Sequence, residues 1–149
     1  MPKFVYRMQN ILEIKYKLEE QAKQEYGQIQ ARLNEAEADL LKLKNMLSED
    51  YENLKEAQSS VLDILEIDIL RDGIVYRKGK IEEQRQVVKK LEREVERARM
   101  KLNEAMQERK MHEKLKEKQF DAFVKEMNDK ESKEVDELVS YTYNDKESD

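Results

Sequence analysis

Residues that could do acid–base or metal chemistry are numerous in this sequence but poorly placed for it. Of the 149 residues, 34 are Asp or Glu, with adjacent pairs such as Glu19-Glu20 and Glu82-Glu83, whereas His112 is the only histidine and cysteine is absent. A carboxylate becomes a catalytic acid or base when burial in a cleft shifts its pKa, and a metal site needs several ligands close together. The sequence therefore predicts solvated carboxylates, no metal, no cofactor and no enzymatic activity.

The composition favours long helices over a layered core. Charged residues make up 42% of the chain and hydrophobic residues 38%, with three glycines and one proline. Such a chain can fill the narrow seam between two helices. Acidic and basic residues alternate along its length to give a net charge of −5, and no apolar run approaches the roughly 20 residues of a membrane helix. We expect a soluble, intracellular protein that does not bind nucleic acid.

Apolar residues repeat with coiled-coil spacing in the first part of the chain. The two core positions hold Tyr26, Leu33, Leu40, Leu47 and Leu54, and Ala22, Ile29, Ala36 and Leu43. Upstream, the steps from Leu18 to Ala22 to Tyr26 are four residues each, which predicts a stutter. The pattern predicts a first helix over about residues 3–57, with a seam that needs a partner helix.

A second heptad series supplies that partner. Its core positions hold Ile67, Ile74, Ile81, Val88, Val95 and Leu102, and Leu70, Leu91, Ala98 and Ala105. Arg77, Gln84 and His112 also fall at core positions, where polar residues can set the register. The series predicts a second helix over about residues 61–140, followed by a polar, disordered tail over about residues 141–149.

The chain reversal is predicted at about residues 58–60. Asp72-Gly73 is a common turn sequence, but it lies inside the unbroken second series, and a reversal there would not preserve the heptad phase. Ser60 and Asp63 have the spacing of an N-terminal capping box. The fold class that follows is all-α: a long antiparallel two-helix coiled coil.

Unequal helix lengths predict that helix 2 overhangs helix 1. The first helix covers the second to about residue 116, which leaves an overhang of roughly 20 to 25 residues, about 35 Å long. Along the overhang runs an apolar stripe without intramolecular cover: Leu115, Phe120, Phe123, Met127, Val135 and Leu138. We expect another protein to contact this stripe.

Two features near the reversal have alternative interpretations. Gly73 and Gly79 fall at outward positions, where they reflect either tolerated sequence drift or the close approach of a partner backbone. The apolar run over residues 61–70 either packs inward or faces a partner. Tyr76 lies off the seam, and exposed tyrosine is a favoured contact residue.

The opening segment FVYRMQNILEIKYKLEEQAK and the late segment KEVDELVSY resemble the FliJ family, the small coiled-coil component of the bacterial flagellar type III export apparatus. The likeness covers nearly the whole chain. Members of that family are similar to the central stalk subunit of rotary ATP synthases, an antiparallel coiled coil whose terminal helices insert into a hexameric ATPase ring. The resemblance therefore implies a non-enzymatic stalk that acts through contacts with other proteins.

The resemblance also implies partners and a location. The partners are the export ATPase FliI, the export gate protein FlhA and export chaperones. The chain is expected to be a monomer in the cytoplasm, peripheral at the cytoplasmic face of the membrane through the export apparatus.

Contact residues are nominated at both places where the chain offers uncovered surface. The matching terminal blocks and the overhang imply an ATPase-binding end at Phe4, Tyr6, Met8, Leu12, Phe120, Phe123, Met127, Val135, Asp136, Glu137 and Leu138. Apolar and aromatic residues near the reversal nominate the gate contact at Leu47, Tyr51, Leu70, Ile74, Tyr76 and Gln84. The alternative hypothesis is a self-associating structural coiled-coil scaffold unrelated to flagella, held together through the uncovered stripe.

Overall fold

The computed structural model describes residues 2–61 and 63–147. Two α-helices make up almost all of this part of the chain: α1 spans Gln9–Ser59 and α2 spans Ile64–Glu147. The prediction of an all-α fold with two long, packed helices is confirmed. Cross-helix bonds such as Gln84 to Ala36 and Arg77 to Asp50 join late residues of α1 to early residues of α2, so the two helices are antiparallel.

The chain forms two compact units, and each contains parts of both helices. The central unit comprises Glu20–Asn103, and the terminal unit comprises Met1–Glu19 together with Glu104–Asp149. The two units differ in what they bury, as described below for each in turn.

The central unit is built on the predicted heptad seam. Leu33, Ala36 and Val88 are buried together, and the partly buried side chains that pack against them are Leu40, Leu91 and Val95. Side chains spaced alternately three and four residues apart lie on one side of a helix, so both helices bury a continuous stripe against each other. The apolar contact stabilises both helices, since an isolated helix of this composition gains little from backbone propensity alone.

The bounds of α1 differ from the sequence-based prediction at the start. The helix was predicted from about residue 3, but it begins at Gln9, whose N–H donates to the Tyr6 carbonyl. Phe4 and Tyr6 precede the helix and pack against α2 in the terminal unit. Aromatic packing outweighs helical propensity in this segment.

The connection between the helices lies between Ser59 and Ile64, and Asp72-Gly73 lies inside α2. The capping residue differs from the predicted Ser60: the Asp63 carboxylate accepts hydrogen bonds from the backbone N–H groups of Leu65 at 3.1 Å and Glu66 at 3.4 Å. A carboxylate at this position also interacts favourably with the positive end of the helix dipole, which explains why Asp63 begins α2.

The second helix extends beyond its predicted end. It was predicted to stop at about residue 140, with a disordered tail, but it continues to Glu147. Neither glycine nor proline follows Gly79, so nothing in the sequence stops the helix, and the Thr142 hydroxyl donates to the Leu138 carbonyl one turn earlier. Ser148 and Asp149, which belonged to the predicted tail, lie outside the described residues.

The predicted stutter near residue 18 is wrong. Leu18 is 45% exposed, whereas Glu19 is buried at 7% exposure. With Glu19 in the seam and Lys15 half-buried, the spacing from Leu12 to Ala22 alternates three and four residues without interruption. The sequence pattern failed here because a glutamate, not a leucine, occupies the buried position.

Candidate functional site

An ion-pair cluster in the terminal unit explains how Glu19 is accommodated. The Arg109 guanidinium donates from Nε to Glu19 Oε2 at 2.7 Å and from Nη2 to Glu19 Oε1 at 3.1 Å. Its Nη1 donates to Glu113 Oε2 at 3.2 Å, and the Tyr16 hydroxyl donates to the other oxygen of Glu113. A two-pronged arginine–carboxylate contact fixes geometry as well as charge, so the cluster sets the alignment of α1 and α2 within this unit.

The contacts of the cluster move the pKa values of Glu113, Tyr16 and Arg109 away from neutrality. The hydrogen bond from Tyr16, aided by Arg109, lowers the pKa of Glu113, and the same bond raises the pKa of Tyr16. The hydrogen bonds to Glu19 raise the pKa of Arg109 further above its ordinary value. A general acid or base needs a pKa moved towards neutrality, and these shifts run the other way. The cluster is therefore a structural feature.

Residues before α1 cover more of α2 than the sequence predicted. The Phe4 ring centroid lies 5.3 Å from that of Phe120, in an edge-on arrangement, and 5.5 Å from that of Phe123. The Lys116 ammonium donates to Gln9 Oε1 at 2.7 Å. The predicted bare stripe from Leu115 onward is thus partly covered, and every residue from 128 to 143 is exposed.

The predicted ATPase-end residues separate into supporting and accessible sets. Tyr6 and Leu12 are buried, at 6% and 2% exposure, so they support the surface and cannot contact a partner directly. Phe4, Met8, Phe123 and Met127 are half-buried, and Phe120 is exposed. The accessible residues at the far end of α2 are Val135, Asp136, Glu137 and Leu138.

The far end of α2 also exposes apolar residues that the sequence analysis did not nominate. Val139, Tyr141 and Tyr143 are all more than 60% exposed. They lay in or beside the segment predicted to be disordered. The helical spacing of Val135, Val139 and Tyr143 was the signal that could have identified them.

The predicted gate residues do not form one accessible surface. Ile74 is buried, while Leu47, Leu70 and Gln84 are half-buried in the seam. Gln84 uses its side-chain amide to donate to the Ala36 carbonyl at 3.0 Å, which is a role inside the unit. Arg77, another polar seam residue, donates from Nε to Asp50 Oδ2 at 3.1 Å.

Tyr51 and Tyr76 are the accessible members of the predicted gate set. Tyr76 is 64% exposed and has the Lys80 ammonium 5.4 Å from its ring centroid. Tyr51 is 44% exposed, with the Lys78 ammonium 5.6 Å from its centroid.

Most of the described apolar residues in the run over residues 61–70 are exposed, a point that the sequence alone left open, and Leu62 lies outside the described residues. Leu65 and Ile69 are 70% and 62% exposed, and together with Tyr76 they lie opposite the seam. We call Leu65, Ile69 and Tyr76 the α2 outer stripe. Gly73 falls within it, four residues after Ile69, and a Cβ at Gly73 or Gly79 would meet no atom within 4 Å. Packing inside the chain therefore does not require glycine at either position.

Within residues 2–61 and 63–147, neither helix contains a stretch that is long and apolar enough to span a membrane.

Comparison with known proteins identifies the family. The family model described as flagellar FliJ protein matches residues 4–148. This chain belongs to the FliJ family. It is accordingly a component of the type III protein export apparatus, in a family whose members have no catalytic role.

A solved structure shows the same fold in a second protein. The structure of a putative YscO homolog from Chlamydia trachomatis is similar with a TM-score of 0.58 and 23% sequence identity, over 95% of this chain and 96% of that one. At this level of identity the likeness supports the fold alone. No curated protein matches this FliJ-family chain.

Proposed function

We propose that this FliJ-family chain is a stalk-like component of the flagellar export apparatus that binds the export ATPase FliI through its terminal unit. The observation that carries the proposal is the exposed apolar surface at the end of α2, formed by Val135, Leu138 and Val139 at 57%, 66% and 63% exposure. A helix that exposes apolar residues at spacings of three and four residues is suited to docking in a groove of another protein. Asp136 and Glu137 add negative charge beside it.

The supporting residues of the terminal unit fit the same proposal. Leu12 is fully buried, and Phe4 holds Phe120 and Phe123 through ring contacts. These contacts keep the beginning of α1 against α2 just before the uncovered stretch. Presenting one rigid helical surface lowers the entropy cost of binding a ring of subunits.

The ATPase contact is tested with the double substitution Val135→Asp and Leu138→Asp. Both side chains are exposed, so the fold should be retained. We expect the variant to lose at least about tenfold in affinity for FliI and to lose any stimulation of the ATPase hexamer. Leu41→Asp is the matched control, because Leu41 is equally exposed at 59% but lies in the central unit. Equal binding by the wild-type chain and the double variant would contradict the proposal.

We propose further that the central unit binds the export gate protein FlhA through the α2 outer stripe and Tyr51. Leu65, Ile69 and Tyr76 share one outward side, and the open space at Gly73 permits a partner backbone to approach the helix. This surface keeps Tyr51 and Tyr76 from the predicted gate set. The buried and half-buried residues of that set are left out, and the outward-facing Leu65 and Ile69 take their place.

The gate contact is tested by two variants with different readouts. Ile69→Asp should abolish FlhA binding without unfolding the chain, whereas Val87→Asp, at another exposed site on α2, should leave FlhA binding unchanged. Gly73→Ala should stabilise α2 by about 1 kcal/mol and yet weaken FlhA binding, since its methyl group occupies the approach path. If Gly73→Ala stabilises the helix and binding is unaltered, no backbone approaches at this position.

The remaining parts of the proposed function concern chaperones, association and location. We propose that the chain also engages export chaperones, acts as a monomer, and lies in the cytoplasm beside the membrane through its partners. Sedimentation over a hundredfold concentration range should give one monomeric species. A concentration-independent dimer or hexamer would favour the self-associating scaffold.

A further inference from the structure

A group of lysines surrounds two exposed apolar side chains on the outward side of α2 in the terminal unit. Met111 is 57% exposed and Leu115 is 37% exposed, and a separation of four residues places them on adjacent turns of one side. The shallow groove that they form is lined by Gln107, Lys110, Met111, Lys114, Leu115 and Lys118. We call these six residues the lysine face.

The acidic residues of the same stretch lie on the side that meets α1. Glu108 forms an ion pair with Lys15 at 3.4 Å, and Glu113 accepts the hydrogen bond of Tyr16. Glu117 lines a different groove, which it shares with residues of α1. The three glutamates within residues 107–118 thus lie towards α1, whereas Lys110, Lys114 and Lys118 lie on the outward side, in a chain whose net charge is −5.

The lysines of this face are not used inside the molecule. Within residues 2–61 and 63–147, Lys110, Lys114 and Lys118 make no ion pair. The other basic residues of the same stretch are engaged, since Arg109 binds Glu19 and Lys116 binds Gln9. Three consecutive turns of α2 therefore present unpaired ammonium groups beside apolar surface.

We propose that the lysine face docks an acidic amphipathic helix of another protein. Lysines four residues apart follow one line along α2 and can each meet a glutamate or aspartate at matching spacing on a partner helix, while Met111 and Leu115 pack against its apolar residues. The face is about 12 Å long from Lys110 to Lys118, which is about two helical turns. A contact of this size suits a transient interaction that is steered by charge.

Apolar content and the charge of the surrounding chain favour a protein helix over other anionic partners. Phosphate groups of a nucleic acid would engage the lysines but leave Met111 and Leu115 in water, and the acidic remainder of the chain would repel them. Binding to an anionic membrane needs a wider apolar side than two residues provide. An acidic amphipathic helix can pair its carboxylates with the lysines and pack its apolar side chains against Met111 and Leu115.

The test uses the full chain and a synthetic helical peptide with glutamates four residues apart on either side of a leucine strip. Its twin has every glutamate replaced by lysine. Titration followed by NMR should show that the acidic peptide perturbs signals of residues 107–118 and that the twin does not bind. The triple variant K110E/K114E/K118E should weaken binding by at least about tenfold. The matched control K42E/K44E/K55E, which makes the same charge change at exposed sites of the central unit, should stay within about twofold of wild type.

A second variant separates docking from simple charge attraction. The double variant Met111→Gln and Leu115→Gln should lower the affinity for the acidic peptide by about fivefold, although its net charge is unchanged. The proposal is overturned if both lysine triples lose binding equally, or if the glutamine double variant binds like wild type. It is also overturned if anionic vesicles or single-stranded DNA bind through these lysines while the acidic peptide does not, or if the face pairs two copies of this chain in sedimentation.

Discussion

The central and terminal units use the same two helices but bury different chemistry. The central unit packs Leu33, Ala36 and Val88 in an apolar seam. The terminal unit buries Leu12 and, one heptad along, Glu19, which forms an ion pair with the half-buried Arg109. Apolar seams stabilise many registers almost equally, whereas a two-pronged ion pair is satisfied in one alignment. Both units therefore hold the helices together by apolar packing, and the terminal unit in addition fixes the alignment of the end that carries the proposed ATPase contact.

The largest expected effect comes from deleting buried side chains in each unit. Leu12→Ala should lower the free energy of unfolding by about 3 kcal/mol, because the removed atoms are fully buried, and Leu33→Ala by about 2 to 3 kcal/mol. Urea unfolding followed by circular dichroism measures both, and Leu41→Ala at an exposed site is the control. A loss below 1 kcal/mol for Leu12→Ala would show that the terminal unit is loosely packed.

The second comparison concerns the buried ion pair. Glu19→Gln should destabilise the chain, since it removes the two-pronged carboxylate partner of the Arg109 guanidinium and leaves Glu113 as its charged partner, whereas the double change Glu19→Leu and Arg109→Leu should recover most of the loss. Thermal unfolding of Glu19→Leu, Arg109→Leu and the double variant gives the coupling between the two positions. Equal melting temperatures for wild type and Glu19→Gln would remove the alignment role that we assign to this pair.

A smaller effect is expected at the cap of α2, which lies in the central unit. Asp63→Ala should cost about 1 kcal/mol of stability, because two backbone N–H groups lose their acceptor, whereas Ser60→Ala should stay within about 0.5 kcal/mol of wild type. Urea unfolding of the two variants side by side decides between the observed and the predicted capping residue. A larger effect from Ser60→Ala would reverse the assignment.

The smallest effect is a pH dependence confined to the terminal unit. The pKa of Glu113 is lowered in the folded chain, so its contribution to stability is present above the ordinary value of 4.5 and is lost as the pH falls through the lowered value. The pKa of Tyr16 is raised, so its contribution is present below 10.0 and is lost at more alkaline pH. Tyr16→Phe should reduce the fall in melting temperature at both acid and alkaline pH. It should leave the amide hydrogen-exchange protection of the central unit at pH 7 unchanged. Identical pH profiles for the two proteins would contradict the assignment.

Much of the fold could be predicted from the sequence, and much less of the candidate site. The heptad positions of Leu33 and Val88 identified the buried seam, because helical periodicity is a local property that apolar spacing reports directly. The site predictions took Leu12 from the family resemblance and Ile74 from its apolar type near the reversal, and both residues are buried. Residue type alone does not distinguish an apolar side chain in the seam from one on the outer side. The high exposed fractions of Leu65 and Ile69 in the structure place these two side chains on the outer side of α2.

The sequence alone was enough to predict two long helices joined near residue 60. Its high charge content and its few glycines and prolines favour helix formation, and the unbroken heptads show which side of each helix is buried. Both are local properties of the chain. Tertiary structure alone decided which charged residues enter the seam, as Glu19 and Arg109 do, and that Phe4 leaves the helix to meet Phe120. The physical reason is that a buried charge or an aromatic contact depends on the residue that faces it across the interface. That residue lies about 90 to 116 positions away along the chain, beyond the range of any local pattern.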